Sequence, residues 1–510
     1  MFTQEPEVLA SELTLLFKNI TIMKKHLKSI LLGGAVLTIA ACTKFDDKIY
    51  DASAVNKPDP GVVYAELRDL IDDNGWWFWA QEVPSDEIAF PIRGNDWNDG
   101  GKWRVLHQHQ WTNDVDAVNS MWSHLYDGVR ESNKLIDGLL PNAGDPEIDL
   151  SIAKLKTLRA LFLYMLLDNY GDVPLITSFT SAPEFPFKAT RKEVYDFLVN
   201  DLKTSVPLLP INTNKFAVNK GMGYTLLAKI YLNAEVYTGT AAYVQAEAMC
   251  DSVIQLGVYS LDNTVTAPFA ANNVNVPENI FTILFDQFDA QGFRIHMRTL
   301  HYLSDKTFGM KVGPWNGFAA LESHYNSYAT GDKRKEEWFM VGQQYDKNNV
   351  KLFDETAGED LVLTPNIPAL VLGSGNTSAE IRMSGARVKK YEIEEGALEN
   401  LNNDFPLFRY ADVLLMKAEC AVRNGGAGSG DAWVQMIRDR ANAGPTSGFG
   451  LDEILAERGR ELFCEGHRRQ DLIRFGKFGN AWWEKPASGS ERTIFPIPQW
   501  AIDANPNLGL

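Results

Sequence analysis

The chain has 510 residues, 45% hydrophobic and 11% aromatic, enough to bury a large core in one big domain or two intimate ones. Lys and Arg number 49 against 66 Asp and Glu, and the resulting formal net charge of −17 argues against a nucleic-acid binder with its basic surface. Four cysteines over this length exclude a disulfide framework.

Residues 1–22 are acidic and read as an upstream extension ahead of a natural start at Met23. Lys24, Lys25, His26 and Lys28 then form a basic region, and residues 30–41 (ILLGGAVLTIAA) an apolar one too short to span a bilayer as a mature helix. It ends in Ile39-Ala40-Ala41-Cys42, which resembles a bacterial lipoprotein cleavage box with Ile where Leu is usual. Residues 23–41 are therefore expected to be a lipoprotein signal peptide and Cys42 the lipidated residue. Residues 42–60 are polar, carry Pro58 and Pro60, and read as a tether. Asp46 and Asp47 resemble the signal that sends such lipoproteins to the outward face of the outer membrane.

From residue 61 the pattern is mainly helical. Helices are expected over 63–71, 115–140 and 152–169, the last stopped by Gly171 and Pro174. Further helices are expected over 191–209, 220–237 and 242–256, the last two as a pair with Ala at close-approach positions. Residues 264–406 are richer in Gly, Asn, Pro and aromatics, with strands expected at 281–285 and 386–391. Ala411, Leu414, Leu415, Ala418 and Val422 fall on one helical face, and Ile454, Leu455, Arg458, Glu461, Leu462 and Glu465 on another, with a loop between. Glu457, Glu461 and Glu465 among Arg458, Arg460, Arg468, Arg469, Asp471 and Arg474 predict a partly buried ion network rather than a catalytic set. Cys250, Cys420 and Cys464 lie in apolar helical patterns and are expected to be buried free thiols.

Several blocks resemble one family. NDFPLFRYADVLLMKAE (403–419), ERGRELFCEGHRRQDLIRFGKF (457–478), LRALFLYMLLDNYGDVPL (158–175) and the extended Ile494-Phe495-Pro496-Ile497-Pro498 resemble the SusD/RagB nutrient-binding outer-membrane lipoproteins, and the resemblance covers nearly all of 61–510. It implies a mainly α, SusD-like fold with tetratricopeptide-type helix pairs and a loop-rich region with a few short strands. It implies an N-terminal helical region at 61–240 and a C-terminal region at 241–510 with the loop-rich insertion 264–406, all in one compact unit. It also implies capture of an extracellular nutrient, most simply an oligosaccharide, for a SusC-like TonB-dependent transporter docked on the helical side. No enzymatic activity and no cofactor are implied, and a structural calcium is left open. A peptide ligand, a surface glycosidase and a pure repeat scaffold are the alternatives.

Candidate ligand contacts come from aromatic loops. Trp76, Trp77, Phe78 and Trp79 are consecutive, so at least one must face away from the core. Trp97 and Trp103 sit in a Gly/Asn/Asp stretch with Arg93, Asp96 and Asn98, a mixture suited to sugars: ring faces pack on C–H faces while amide, carboxylate and guanidinium groups bond the hydroxyls. Gly313-Pro314-Trp315-Asn316-Gly317-Phe318, with Tyr302 and Tyr325 nearby, offers a second aromatic turn. The competing reading of each Trp is core filling beneath the loops. His107 and His109 would share one strand face, but no third metal ligand is evident. The carboxylate pairs Asp86-Glu87, Glu394-Glu395 and Glu461/Glu465 have no legible spacing for glycoside hydrolysis, and no G-x-S-x-G or H-E-x-x-H motif is present.

Overall fold

The computed structural model describes residues 60–71, 75–211 and 214–510. The signal peptide, Cys42 and all of the tether but Pro60 lie outside the described residues, whereas those from 60 onward belong to one unit, Pro58–Leu510. Helices dominate it, and among the described residues the strands form seven two-stranded ribbons.

Helices α1 (Gly61–Asp69) and α2 (Trp77–Glu82) lead into the first loop region, which contains α3 (Lys102–His107). The first antiparallel layer is α4 (Asp116–Leu139), α5 (Pro146–Tyr170) and α6 (Arg191–Ser205). Helix α5 starts six residues before its apolar pattern begins. Asp145 caps it by accepting from Glu147 N and Ile148 N at 2.8 and 3.3 Å, with Pro146 in the first turn, where its missing N–H costs nothing. Nearly every side chain from 152 to 170 is buried, because α4 and α6 flank α5 on two sides. A second layer packs α7 (Lys220–Leu232) on α8 (Tyr243–Gln255), and α8 in turn on α9 (Tyr410–Gly425). The helix expected over 220–237 breaks at Asn233, whose side chain donates to Lys229 O.

The C-terminal part departs from the expected pair. A third helix, α10 (Asp431–Ala441), stands between α9 and α11 (Leu451–Glu461), and α11 ends before Glu465, with α12 (Arg468–Arg474) following a turn. Gly466 in that turn has φ +81 and packs flush on the Trp77 indole. The ion network is present and deeply buried. Glu461 accepts from Arg334, Arg409 and Arg440, Glu457 meets Arg334, Arg438 and Arg460, and Arg458 joins Asp412 to Asp471. Lys229 of α7 reaches Asp412 of α9 at 3.0 Å, so the network ties these two helices of the second layer to α11 through Arg458. Cys250, Cys420 and Cys464 are buried free thiols.

The loop-rich region is held by short pairings. Strand β1 (Ile88–Ala89) pairs with Ala319–Ala320, and β2 (Ile92–Arg93) runs parallel to Val371–Leu372. The expected strands at 281–285 and 386–391 appear as Asn279–Ile283, paired with Phe405–Arg409, and as the two-residue Arg387–Val388. These contacts bring segments near residues 90, 315 and 380 side by side, and the candidate site lies there.

Candidate functional site

Four of the candidate residues converge. The Tyr302 hydroxyl donates to Asp96 Oδ2 at 2.5 Å, and the Trp97 indole N–H donates to the Trp315 carbonyl at 2.9 Å. Trp97, Trp315, Tyr302 and Asp96 are each half-buried, keeping part of their surface open to solvent. Trp97 has φ +65 and leans on Gly317, where a Cβ would lie 2.5 Å from its ring, so glycine is needed for the two loops to meet. Gly94 is pinned likewise, with φ +62 and a built Cβ 1.7 Å from Gly375 O.

Sequence reasoning missed the third wall. Asn376 donates from Nδ2 to Asp96 Oδ2 at 2.9 Å, and its Oδ1 accepts from Asn95 N at 3.1 Å. The Arg382 guanidinium lies 4.7 Å from the Tyr302 ring centroid, and Arg298 lies 5.1 Å from that of Trp315. Arg382 Nε donates to Asp354 Oδ2 at 2.5 Å, and His301 Nε2 is 3.3 Å from the same oxygen. Burial by itself would raise the Asp354 carboxyl, but the His301 and Arg382 hydrogen bonds outweigh it and hold the group well below the usual carboxylate range. Arg382 therefore keeps a charged partner. Only the Gly/Ser/Asn loop at 373–378 hinted at this wall, and nothing in the sequence says which distant loop it faces.

Five candidates are corrected by burial. Trp76, Trp77 and Trp103 are 4, 7 and 2% exposed and belong to the core. Trp103 stacks on Phe90 with centroids 3.9 Å apart and spends its N–H on Asp99, while Trp76 and Trp103 both lie beneath the Lys102 ammonium. Arg93 and Asn316 are fully buried and work on the backbone. Arg93 donates to the carbonyls of Gly317, Ile381 and Ser384, and burial pushes its guanidinium down to about 9. Asn316, at φ +56, accepts from Arg387 and donates to Arg382 O, while Arg387 also donates to the carbonyls of Arg382, Ser384 and Gly385. These two guanidiniums lash the segments carrying Trp315 and Arg382 to each other. Asn98 is exposed, and no hydrogen bond joins its side chain to the cluster among the described residues.

His107 and His109 do not share a strand face. His107 ends α3, and His109 sits at φ +55. His107 pairs with Trp483 O, and His109 with Ser488 Oγ and Pro84 O, while burial lowers the two imidazoles to about 4 and 3. Among the described residues, Glu66, His124 and Asp127 bring ligand atoms within 4.8 Å of one another, with all three partly exposed. His124 Nδ1 lies 3.5 Å from Glu66, as an ordinary ion pair does. The carboxylates dismissed as catalytic are committed elsewhere. Asp86 is bidentate to Arg468, Glu465 is buried against Lys390 and Arg409, and Glu395 pairs with Lys347. The cluster can therefore stack on a ring and exchange hydrogen bonds with it.

Two family models match. One, described as SusD family, covers residues 277–490, and the other, described as starch-binding associating with outer membrane, covers residues 85–232. The chain is 24% identical over 473 residues to the starch-binding protein SusD of Bacteroides thetaiotaomicron, covering 84% of each chain. It is 24% identical over 439 residues to the SusD-like protein P25 of Formosa agariphila, covering 77% of this chain and 78% of that one. Among solved structures, the surface glycan-binding protein A of B. thetaiotaomicron in complex with laminarihexaose shares the fold with a TM-score of 0.70 at 21% identity, over 88% of this chain and 97% of that one. With the helix-pair architecture, these matches place the chain in the SusD/RagB family.

Proposed function

We propose that this protein captures glycans at the cell surface and hands them to a SusC-like TonB-dependent transporter in the outer membrane. One observation carries the reading: the partly exposed Trp97, Tyr302 and Trp315 are drawn together by the Trp97–Trp315 and Tyr302–Asp96 hydrogen bonds, with Asn376 bonded to the same Asp96. Ring faces hold a sugar by its C–H surface, and the polar edge fixes its orientation. The chemistry is capture without turnover. The names of the relatives, starch-binding and glycan-binding, support the ligand class. The description of the matched family model supports attachment to the outer membrane, which we assign to a lipid on Cys42.

The helical layer serves the partner. Phe179 and Trp500, each 48% exposed, line one groove with Trp122 and Tyr126 of α4, and Phe185 and Phe187 are exposed in the same loop as Phe179, apolar surface that suits a protein contact.

The test is calorimetric titration of the purified protein with panels of oligosaccharides and peptides, followed by product analysis. Saturable sugar binding with no cleavage is expected. Peptide binding in its place, or released products, would overturn the assignment.

A further inference from the structure

We infer that Glu66, His124 and Asp127, with Asp69 beside them, form a site for a borderline divalent cation of the zinc kind, and that the bound ion clasps α1 to α4. The site is separate from the aromatic cluster and does not depend on what that cluster binds.

The residues come together because α1 packs on α4. Val63 and Leu67 are the buried residues of α1, and Glu66 and Asp69 stay partly open beside them. His124 and Asp127 are three residues apart on α4, so they are neighbours on its surface. One ligand atom from each of Glu66, His124 and Asp127 lies within 4.8 Å of the other two. His124 Nδ1 is 3.5 Å from Glu66 Oε2 and 3.8 Å from Asp69 Oδ2.

Those separations are within ion-pair reach but longer than a charge-assisted hydrogen bond, about 2.7–2.9 Å. Nδ1 is closed off from solvent and has no hydrogen-bond partner among the described residues. A buried nitrogen in that state costs free energy, and a cation bound between the groups removes the cost. With bonds of about 2.0–2.2 Å at tetrahedral angles, the nitrogen and oxygen ligands of a metal stand about 3.4 Å apart. The 3.5 Å between His124 and Glu66 is close to that spacing.

The donor set selects the ion. An imidazole among carboxylates suits zinc and its neighbours, whereas calcium and magnesium take oxygen ligands and soft ions take thiolates. Arg130 pairs with Asp127 Oδ1 at 2.7 Å, which uses one of that carboxylate's two oxygens. The His124 and Glu66 side chains are 25 and 18% exposed, so an ion can enter from solvent and keep a water. Helix α1 directly follows the expected tether, so the ion fastens the end of the folded unit from which the chain is held.

The experiment titrates untagged, chelator-treated full-length protein with Zn²⁺, Ca²⁺ and Mg²⁺ by calorimetry, and with Co²⁺ by visible absorption. Wild type, His124→Ala, Glu66→Gln and Asp127→Asn are compared, with thermal melts in the presence and absence of each ion. Wild type is expected to bind Zn²⁺ saturably, to melt at a higher temperature with it, and to give Co²⁺ the intense visible bands of a low-coordinate site. Ca²⁺ and Mg²⁺ should bind roughly tenfold more weakly or worse. His124→Ala should abolish the Zn²⁺-dependent rise in melting temperature. Glu66→Gln and Asp127→Asn, which keep the shape of each side chain and so the fold, should each weaken Zn²⁺ by about tenfold or more. No saturable Zn²⁺ binding by wild type, Ca²⁺ binding as tightly as Zn²⁺, or Zn²⁺ affinity unchanged in these variants would overturn the inference while leaving glycan capture in place.

Discussion

Trp97 shows how single residues hold this surface. Its indole N–H is spent on the Trp315 carbonyl and its ring rests on Gly317, so losing the Trp97 side chain loosens the 315–317 turn, whereas Trp315→Ala keeps the carbonyl that Trp97 binds. Trp97→Ala and Trp315→Ala should each raise the oligosaccharide Kd more than tenfold with the thermal midpoint retained within a few degrees, a pair of changes that calorimetry and circular dichroism read together. Glu461 is the opposite case, a fully buried carboxylate facing Arg334, Arg409 and Arg440. Glu461→Ala removes a carboxylate that three buried cations share, though Arg334 keeps Asp332 and Glu457, Arg409 keeps Glu278 and Glu465, and Arg440 keeps Glu278, and it should cost about 3 kcal/mol in urea unfolding. At this scale the sequence was half legible. Loop composition pointed to Asp96, Trp97, Tyr302 and Trp315, but the same Gly/Asn/aromatic signature also covered Trp76 and Trp103, which are core. Composition says that an aromatic lies in a loop. Whether the loop folds over it depends on partners far along the chain, such as Arg387 against Asn316, 71 positions apart.

Among elements, helices were readable because their signals are local. Periodicity located α4 to α9 to within a few residues, and the main error in α5 came from overlooking Asp145-Pro146 as its start. Asp145→Ala should lower stability by about 1 kcal/mol, the usual worth of an N-cap, measured as a lower urea midpoint at unchanged m-value. Helix α10 went unseen because the Gly/Ser stretch before it reads as a loop and its buried face is only Val434, Ile437, Arg440 and Ala441. The ribbons around the site were out of reach for another reason. A two-residue strand has no period to detect, and the parallel pairing of Ile92–Arg93 with Val371–Leu372 joins segments far apart in the chain. The exposed 179–187 loop and Trp500 belong to this scale as well. Phe187→Asp and Trp500→Asp should reduce co-purification of the transporter at unchanged glycan affinity, which separates the two surfaces.

The molecule as a whole balances carboxylates of two kinds. In Asp412, Glu457, Glu461 and Asp471 the opposing Lys and Arg outweigh burial and depress the carboxyl, to about 2 in Glu457. Groups depressed on folding stabilise above their unfolded pKa of about 4, and that contribution is lost as pH falls through the folded values. Burial pushes Glu82 the other way, up to about 8, with Gly466 N–H, Lys390 and Arg468 only partly opposing it, and Glu87 beside it is also raised. A carboxyl raised on folding binds its proton more tightly in the native state, so stability falls as pH climbs from about 4 through 8. Thermal midpoints should therefore peak at mildly acidic pH and decline on both sides, and Glu82→Gln, which keeps the Gly466 contact, should flatten the alkaline decline alone. The way Arg93 and Arg387 grip the site has a further consequence for how this surface can change. Apart from the Asn316 amide and the Ser384 hydroxyl, they hold the loops by main-chain carbonyls, which every amino acid supplies, so most of their hold is indifferent to the side chains displayed above. The scaffold and its display are thus separable: residues on the solvent-facing side of these loops can be exchanged one at a time while the loops beneath keep their shape, a natural setting for diversification and for engineered specificity.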